Sequence, residues 1–377
     1  MNEEIGIYIH IPFCKRKCYY CDFVSFEDNC TQEKYIQALI KEIKNWKSQN
    51  KDKIIKTLYI GGGTPSFINS KSILEIINSL DIGNEYIERT IEINPGTINK
   101  EKLVDYKKAG INRISIGLQS TNDNLLKEIG RIHNLKQFIE AYNLVKEVGF
   151  DNINIDLMLG LPNQTLEDIE ESLNKILALD VNHISVYSLI LEEGTVLFEK
   201  IEKNELQLPS EELERKMYWY VKKKLEEKGY IHYEISNFAK KGYESKHNTD
   251  CWKQKQYRGF GLAAHSYIDG VRFSNTEDLN KYIENIDNEC YDGNIIIQEE
   301  KQSEEEKQKE YMLLGLRKID GININVFENI FKINPIEKFK NEIEKLEKDG
   351  LVLINEKEIK LTEKGIDMAN LVWEEFI

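Results

Sequence analysis

Cys14, Cys18 and Cys21 have the types and the spacing for metal-cluster chemistry. They follow the short run Tyr8-Ile-His-Ile-Pro-Phe, and gaps of three and two residues let one loop wrap its sulfurs around one corner of a cubane. Thiolates are soft ligands that hold iron–sulfur clusters. A cube of four irons held by three cysteines leaves one iron without a protein ligand, much as a catalytic zinc site keeps a position open where a structural one is closed. That iron can bind something exchangeable. Lys15, Arg16 and Lys17, between the first two sulfurs, favour thiolates and a net negative cluster. A zinc knuckle and unrelated free thiols are the alternatives, although zinc needs a fourth ligand and neither Asp22 nor Phe23 is one of the soft kind.

The pattern C-x3-C-x2-C directly after a first β-strand resembles the signature of radical S-adenosylmethionine (SAM) proteins. Within them, Tyr-x-His-x-Pro-Phe-Cys resembles the anaerobic coproporphyrinogen III oxidase family. The resemblance implies a 4Fe-4S cluster on Cys14, Cys18 and Cys21, with SAM bound to the open iron through its amino and carboxylate groups, and with Tyr8 and Tyr20 lying against SAM. One departure stands out. The oxygen-independent oxidases proper carry another cysteine two residues after the third, and this chain has Phe23 there.

Such a loop needs a scaffold, and the chain supplies βα units. Short β-branched runs over 5–9, 57–60, 90–94, 113–117, 152–159 and 183–190 alternate with amphipathic helical stretches over 31–46, 72–80, 99–109, 135–148 and 165–179. Six repeats are too few for an eight-unit barrel, so periodicity permits an open doubly wound sheet or an incomplete barrel. The resemblance implies the second. The expected fold class is therefore α/β, an incomplete (β/α)6 radical SAM barrel with a C-terminal helical, winged-helix-like domain. Expected divisions are 1–200 for the barrel, 201–300 for a connecting region and 301–377 for the C-terminal domain.

This reading puts polar residues at the C-terminal ends of strands, the rim on which barrel sites are built. Gly61-Gly62-Gly63-Thr64-Pro65 follows the second run, and glycines let backbone approach a ligand with no Cβ in the way. It has neither a Walker lysine nor dinucleotide spacing, and taken alone it is equally a tight turn. Glu92, between Ile91 and Ile93, points to the other face of its strand; in a barrel that is the interior, where a carboxylate needs a partner. Gln119, Arg131 and Asp156 follow the same logic, and each taken singly reads as structural. The resemblance implies that Gly62, Gly63 and Thr64 meet the SAM amino group, that Arg131 suits its carboxylate, that Asp156 or Gln119 meets ribose hydroxyls, and that Ile190 packs near adenine.

A second dense stretch holds Tyr233-Glu-Ile-Ser-Asn-Phe238-Ala, then His247-Asn248-Thr249-Asp250-Cys251-Trp252, then Gly259-Phe-Gly-Leu-Ala-Ala-His265. His247 and Cys251 are types that ligate haem iron, with Trp252 and Phe260 as apolar walls. A satisfied histidine and a buried thiol are the plainer reading. His-Asn-x-x-Tyr-Trp is a hallmark of the heme-chaperone branch of the family, and Cys251 stands where that motif has Tyr. By resemblance His247 binds haem.

After an acidic connector through about residue 306, Ser303 and Glu306 form a capping box opening a helix to 318. A helix over 336–348, a hairpin of 351–354 with 358–361 and a last helix to 376 follow, an arrangement that resembles a winged helix. Winged helices often bind DNA, but a net charge of −14 argues against a nucleic-acid footprint. Among 377 residues, 41% hydrophobic and 31% charged, no apolar run is long enough for a membrane span and no basic, apolar leader is present. A cytoplasmic protein is expected, touching membranes only through partners, with a homodimer left open. Six cysteines, three of them scattered, make no disulfide framework.

Two functions share this cluster and SAM site. One is a heme chaperone that binds haem and delivers it to acceptor proteins. The other is the oxygen-independent oxidase, in which reductive SAM cleavage and hydrogen abstraction from the propionates of coproporphyrinogen III end in protoporphyrinogen IX. Phe23 and the His247-Asn248 motif favour the chaperone.

Overall fold

The computed structural model describes residues 3–27, 30–83, 87–291 and 295–377. Six parallel strands form its centre: β1 (Glu4–Ile11), β2 (Ile54–Gly62), β3 (Glu88–Ile93), β4 (Arg113–Gln119), β5 (Asn152–Leu159) and β6 (His183–Ser188). They lie side by side in sequence order, with helices such as Gln32–Gln49, Lys100–Lys108, Leu135–Glu147 and Leu166–Ala178 between them. The helix starts follow from side chains that accept backbone N–H groups: Asn99, Asn134 and Thr165 each cap one, the last two in full capping boxes.

The sheet is larger than the six strands expected. Six antiparallel or edge strands extend it: β7 (Ile231–Glu234), β8 (Asn237–Ala239), β9 (Tyr257–Phe260), β10 (His265–Ile268), β11 (Val271–Asn275) and β12 (Ile296–Lys301). The order is β12-β11-β10-β9-β1-β2-β3-β4-β5-β6-β8-β7, a mixed sheet whose two edges do not pair into a closed barrel. The stretch expected as an acidic connector thus contains β12, whose glutamates mark a solvated edge strand.

Period-two alternation sorts the parallel strands into two unlike faces. Ile5, Ile7, Ile9 and Ile11, Leu58 and Ile60, Ile91 and Ile93, Ile114 and Ile116, and Ile153 and Ile155 all belong to one buried aliphatic core. Each such side chain contributes roughly 1.5–3 kcal/mol by burial. The alternate residues, Tyr8, Thr57, Tyr59, Thr90, Glu92, Arg113, Ser115, Asn154, Asp156, His183 and Ser185, line a polar interior.

Beyond β12, a three-stranded sheet (Ile322–Asn323, Glu358–Leu361, Val352–Ile354) packs with short helices, among them Glu304–Gly315. The expected helix over 336–348 is broken at Phe339 into Pro335–Lys338 and Lys340–Lys348. This module is tied to the sheet edge. Ile235 N–H donates to Arg317 O at 3.0 Å and Ile319 N–H to Tyr233 O at 3.2 Å, so residues 317–319 lie along β7. The Arg317 guanidinium is sandwiched between Trp252 and Trp373, 4.5 Å from each ring centre.

Candidate functional site

At the C-terminal ends of the parallel strands a cavity of about 540 Å³ opens. Cys14, Cys18, Cys21, Tyr20, Gly62, Gly63, Thr64, Glu92, Gln119, Arg131, Asp156 and Ile190 all line it. Tyr8 and His247 are absent from its wall.

The cysteine loop is anchored from beneath by His10. Its Nε2–H donates to Val24 O at 2.9 Å, which leaves Nδ1 to accept from Tyr8 OH at 3.0 Å. Tyr8 therefore sits one layer down, its ring 6.3 Å from that of Tyr59. The triple glycine has a steric cause. A Cβ on Gly62, whose φ is +111°, would lie 2.7 Å from the His10 ring, and one on Gly63 would lie 3.0 Å from Cys14 Sγ. Larger residues would fill the cradle beside the first sulfur.

The thiols are poised for a metal partner. Arg131 Nη1 donates to Cys18 Sγ at 3.5 Å, and Thr64 Oγ1 donates to Cys14 Sγ at 3.5 Å. Burial pushes the Cys14 thiol up and the Cys21 thiol up to about 11, so both hold their protons until a cationic centre displaces them. Among the described residues no group of three His, Cys, Asp or Glu side chains converges on a single-ion site. The three thiols line the same cavity and lie within electrostatic reach of one another.

Two carboxylates also line the cavity. Glu92 Oε1 accepts from Tyr59 OH at 2.7 Å, and burial, seconded by the charge of Asp156, pushes it up to about 7. Asp156 accepts from Asn154 Nδ2 at 2.8 Å and Ser115 Oγ at 3.4 Å, and burial raises it also. Gln119 closes β4 with φ +71°, a conformation rare for a side chain of its size, at a register shift against β5. Arg131 is fixed by Asn94 Oδ1 and Gly117 O as well as by Cys18. Phe23 and Ile190 stand at the mouth, 63% and 70% exposed. Tyr59, Asn94, Met158 and Tyr187 also line the cavity and were not anticipated; their inward parity on β2, directly after β3, on β5 and on β6 was the available signal.

The second dense stretch is built differently. His247 is buried at the other end of the strands, its Nδ1 on Thr57 Oγ1 at 2.9 Å, its ring 5.3 Å from that of Tyr59 and its backbone N–H donating to Glu88. Phe260 is fully buried against Trp46, and Trp252 is covered by Arg317, so neither forms the expected wall of a ligand space. Burial pushes the Cys251 thiol up to about 12. The glycines of 259–261 are closed in: a Cβ on Gly259 would lie 2.1 Å from His265 O, and one on Gly261 2.3 Å from Tyr35 OH. Beside them Glu42 accepts from Arg258, the Gly261 N–H, Asn275 and Tyr282 at 2.6–3.0 Å, a buried and satisfied ion pair.

Comparison with known proteins agrees with the cysteine motif. A model of the radical SAM superfamily matches residues 8–176, and one of the HemN C-terminal domain matches residues 302–368. The chain is 40% identical to the heme chaperone HemW of Bacillus subtilis (strain 168), covering 98% of each. It is 36% identical to the heme chaperone HemW of Lactococcus lactis subsp. lactis (strain IL1403), covering 100% of this chain and 98% of that one. It shares its fold with the coproporphyrinogen III oxidase HemN of Escherichia coli, with a TM-score of 0.86 at 24% identity over 100% of this chain and 91% of that one.

Proposed function

The chain belongs to the HemW family, and from that premise we propose that it is a heme chaperone that binds haem and passes it to acceptor proteins. The observation that carries this reading is the end-to-end likeness to relatives bearing that name, reinforced by Phe23 where the oxidases carry a further cysteine. No helix among the described residues is long and apolar enough to cross a membrane, which agrees with work in the cytoplasm.

In this reading Cys14, Cys18 and Cys21 would hold a 4Fe-4S cluster, and the donor set fits it: three thiols lining one cavity, a cradle that a Cβ would fill, and Arg131 beside the second sulfur. When bound, the cluster supplies an iron with an exchangeable coordination position. The chain's own residues do the rest. Glu92 and the Gly62-Gly63-Thr64 backbone face an ammonium, Arg131 offers a guanidinium to a carboxylate, and Asp156 and Gln119 present acceptors and donors to ribose hydroxyls. Tyr20 and Ile190 give apolar surface beside them. Tyr8 supports this wall through His10. A haem-binding role for His247 rests on its motif, since its side chain is turned away from the cavity.

The deciding experiment is incubation of anaerobically reconstituted protein with SAM, reductant and coproporphyrinogen III, beside a haem titration. The chaperone reading expects a Soret shift and no protoporphyrinogen. Turnover to protoporphyrinogen would make the chain an oxidase instead.

A further inference from the structure

Among the described residues the bulkiest fully buried side chain is a cation. Arg113 is 2% exposed, and its parity on β4 is that of Ser115, whose hydroxyl meets Asp156 in the polar interior. A guanidinium stays protonated at any ordinary pH and costs dearly to bury without negative charge. Among the described residues the arginines in ion pairs are Arg215, Arg258 and Arg272; Arg113 is in none, and its Nε has no hydrogen-bond partner. Its register neighbours on β3 and β5, Thr90 and Asn152, likewise each leave one side-chain oxygen without a partner. The level beneath the cavity is therefore polar and unsaturated; the buried carboxylate of Glu88, one step further down β3, is engaged by the backbone N–H groups of Lys246 and His247.

Glu92 lies one layer above it on β3, level with Ser115, and Asp156 two layers above it on β5, level with Gly117. Burial favours protonation of both, and the charge of Asp156 adds to this for Glu92; Arg113 opposes it for both, and Arg131 does so for Asp156. Other groups facing Glu92 are Tyr59 on β2, which donates to it, Tyr8 on β1 and Tyr187 on β6, while Arg131 above is committed to Cys18, Asn94 and Gly117. Near Arg113 itself are His183 and His247, held neutral by burial and by its charge, and Tyr233. Among the described residues Arg113 is the cation whose charge acts on both carboxylates, Arg131 acting on Asp156.

We propose that Arg113 is a positioning residue for the SAM site, the cation under Glu92 and Asp156 that lets both present ionised oxygens to the ligand's ammonium and ribose. The inference rests on the SAM reading of the cavity. Glu92 must be ionised to hold the ammonium, so removing the cation should move the pH at which SAM binds, where mere loosening of the fold would weaken binding equally at every pH.

The test is equilibrium dialysis of SAM against cluster-loaded wild type, Arg113→Gln and Arg113→Lys from pH 6.5 to 8.5. The ligand's own amino group titrates near 8 for every variant, so the ratio of affinities is the readout. With the Glu92 midpoint raised by about one unit, the wild-type to Arg113→Gln ratio should be about fivefold at pH 7 and under about twofold at pH 8.5. Arg113→Lys should keep the wild-type profile, and in a Glu92→Gln background the Arg113→Gln effect should lose its pH dependence. A ratio constant across the range overturns the proposal. If Arg113→Gln does not fold, the Glu92→Gln/Arg113→Gln pair decides: recovery of folding marks the two as counter-charges, and continued failure marks a packing role and overturns the proposal. Absence of SAM binding by wild type at every pH would instead overturn the cavity reading on which this one stands.

Discussion

The cysteine loop with its facing rim and the stretch from Tyr233 to Ser266 look alike in sequence, both dense in aromatics, histidine, cysteine and glycine. In three dimensions they are opposites. At the mouth, carboxylates, thiols and glycine backbone face open space. In the second stretch the same residue types are consumed by the protein itself: Gly259 and Gly261 admit backbone and a tyrosine hydroxyl, His247 meets Thr57, and Trp252 meets Arg317. Density of reactive types marks both places where a chain is constrained; open space beside the polar groups separates a site from a joint.

That contrast can be broken or sharpened by substitution. The largest effect is expected at the mouth: Cys18→Ala should abolish loading of about four irons and the charge-transfer band on anaerobic reconstitution, whereas tight zinc binding with no iron by wild type would refute the cluster. Next is the joint. Glu42→Ala leaves Arg258 buried without its partner and should cost about 3–5 kcal/mol in denaturant unfolding while folded protein still loads iron; a loss under about 1 kcal/mol would show the pair to be dispensable.

Smaller effects probe ligand and motif. Glu92→Gln should weaken SAM binding about 10- to 100-fold. For wild type the sign is set by a carboxyl raised to about 7: below that pH it is protonated and cannot hold an ammonium, so affinity falls as pH drops through about 7. Calorimetric titration at pH 6 and 7.5 checks both. His247→Ala should cost about 1–2 kcal/mol of stability from its buried hydrogen bond. A Soret shift retained in that variant would place haem elsewhere, and its loss would give the motif a ligand. The least change, Trp252→Phe, should cost about 0.5–1 kcal/mol and speed amide exchange in residues 302–377; unchanged exchange would argue that the ring sandwich is idle.

The parallel half of the fold was legible because isoleucine alternates so strictly there that strand, face and interior follow from parity, and because Asn99, Asn134 and Thr165 announce their helices. The site was legible wherever a residue type was costly without a ligand, as with Glu92 and Asp156. The antiparallel extension was hidden. Its strands are short, β12 is glutamate-rich on a solvated edge, and β8 and β9 join the parallel strands through partners distant in sequence; the Asp269-Gly270 turn between β10 and β11 was the local signal that could have revealed a hairpin. Arg113 and Tyr59 escaped notice for another reason: each belongs to no motif, and its role is visible only when neighbouring strands are aligned.

Residues 317–319 do more than fasten one module to another. Lying along β7, they occupy the backbone groups of the outermost strand on that side of a twelve-stranded sheet. Truncation or proteolysis upstream of residue 317 would bare that strand as a template for any passing extended chain. Loss of the C-terminal module should therefore show itself first as aggregation of the remainder, before any loss of chemistry at the far end of the strands.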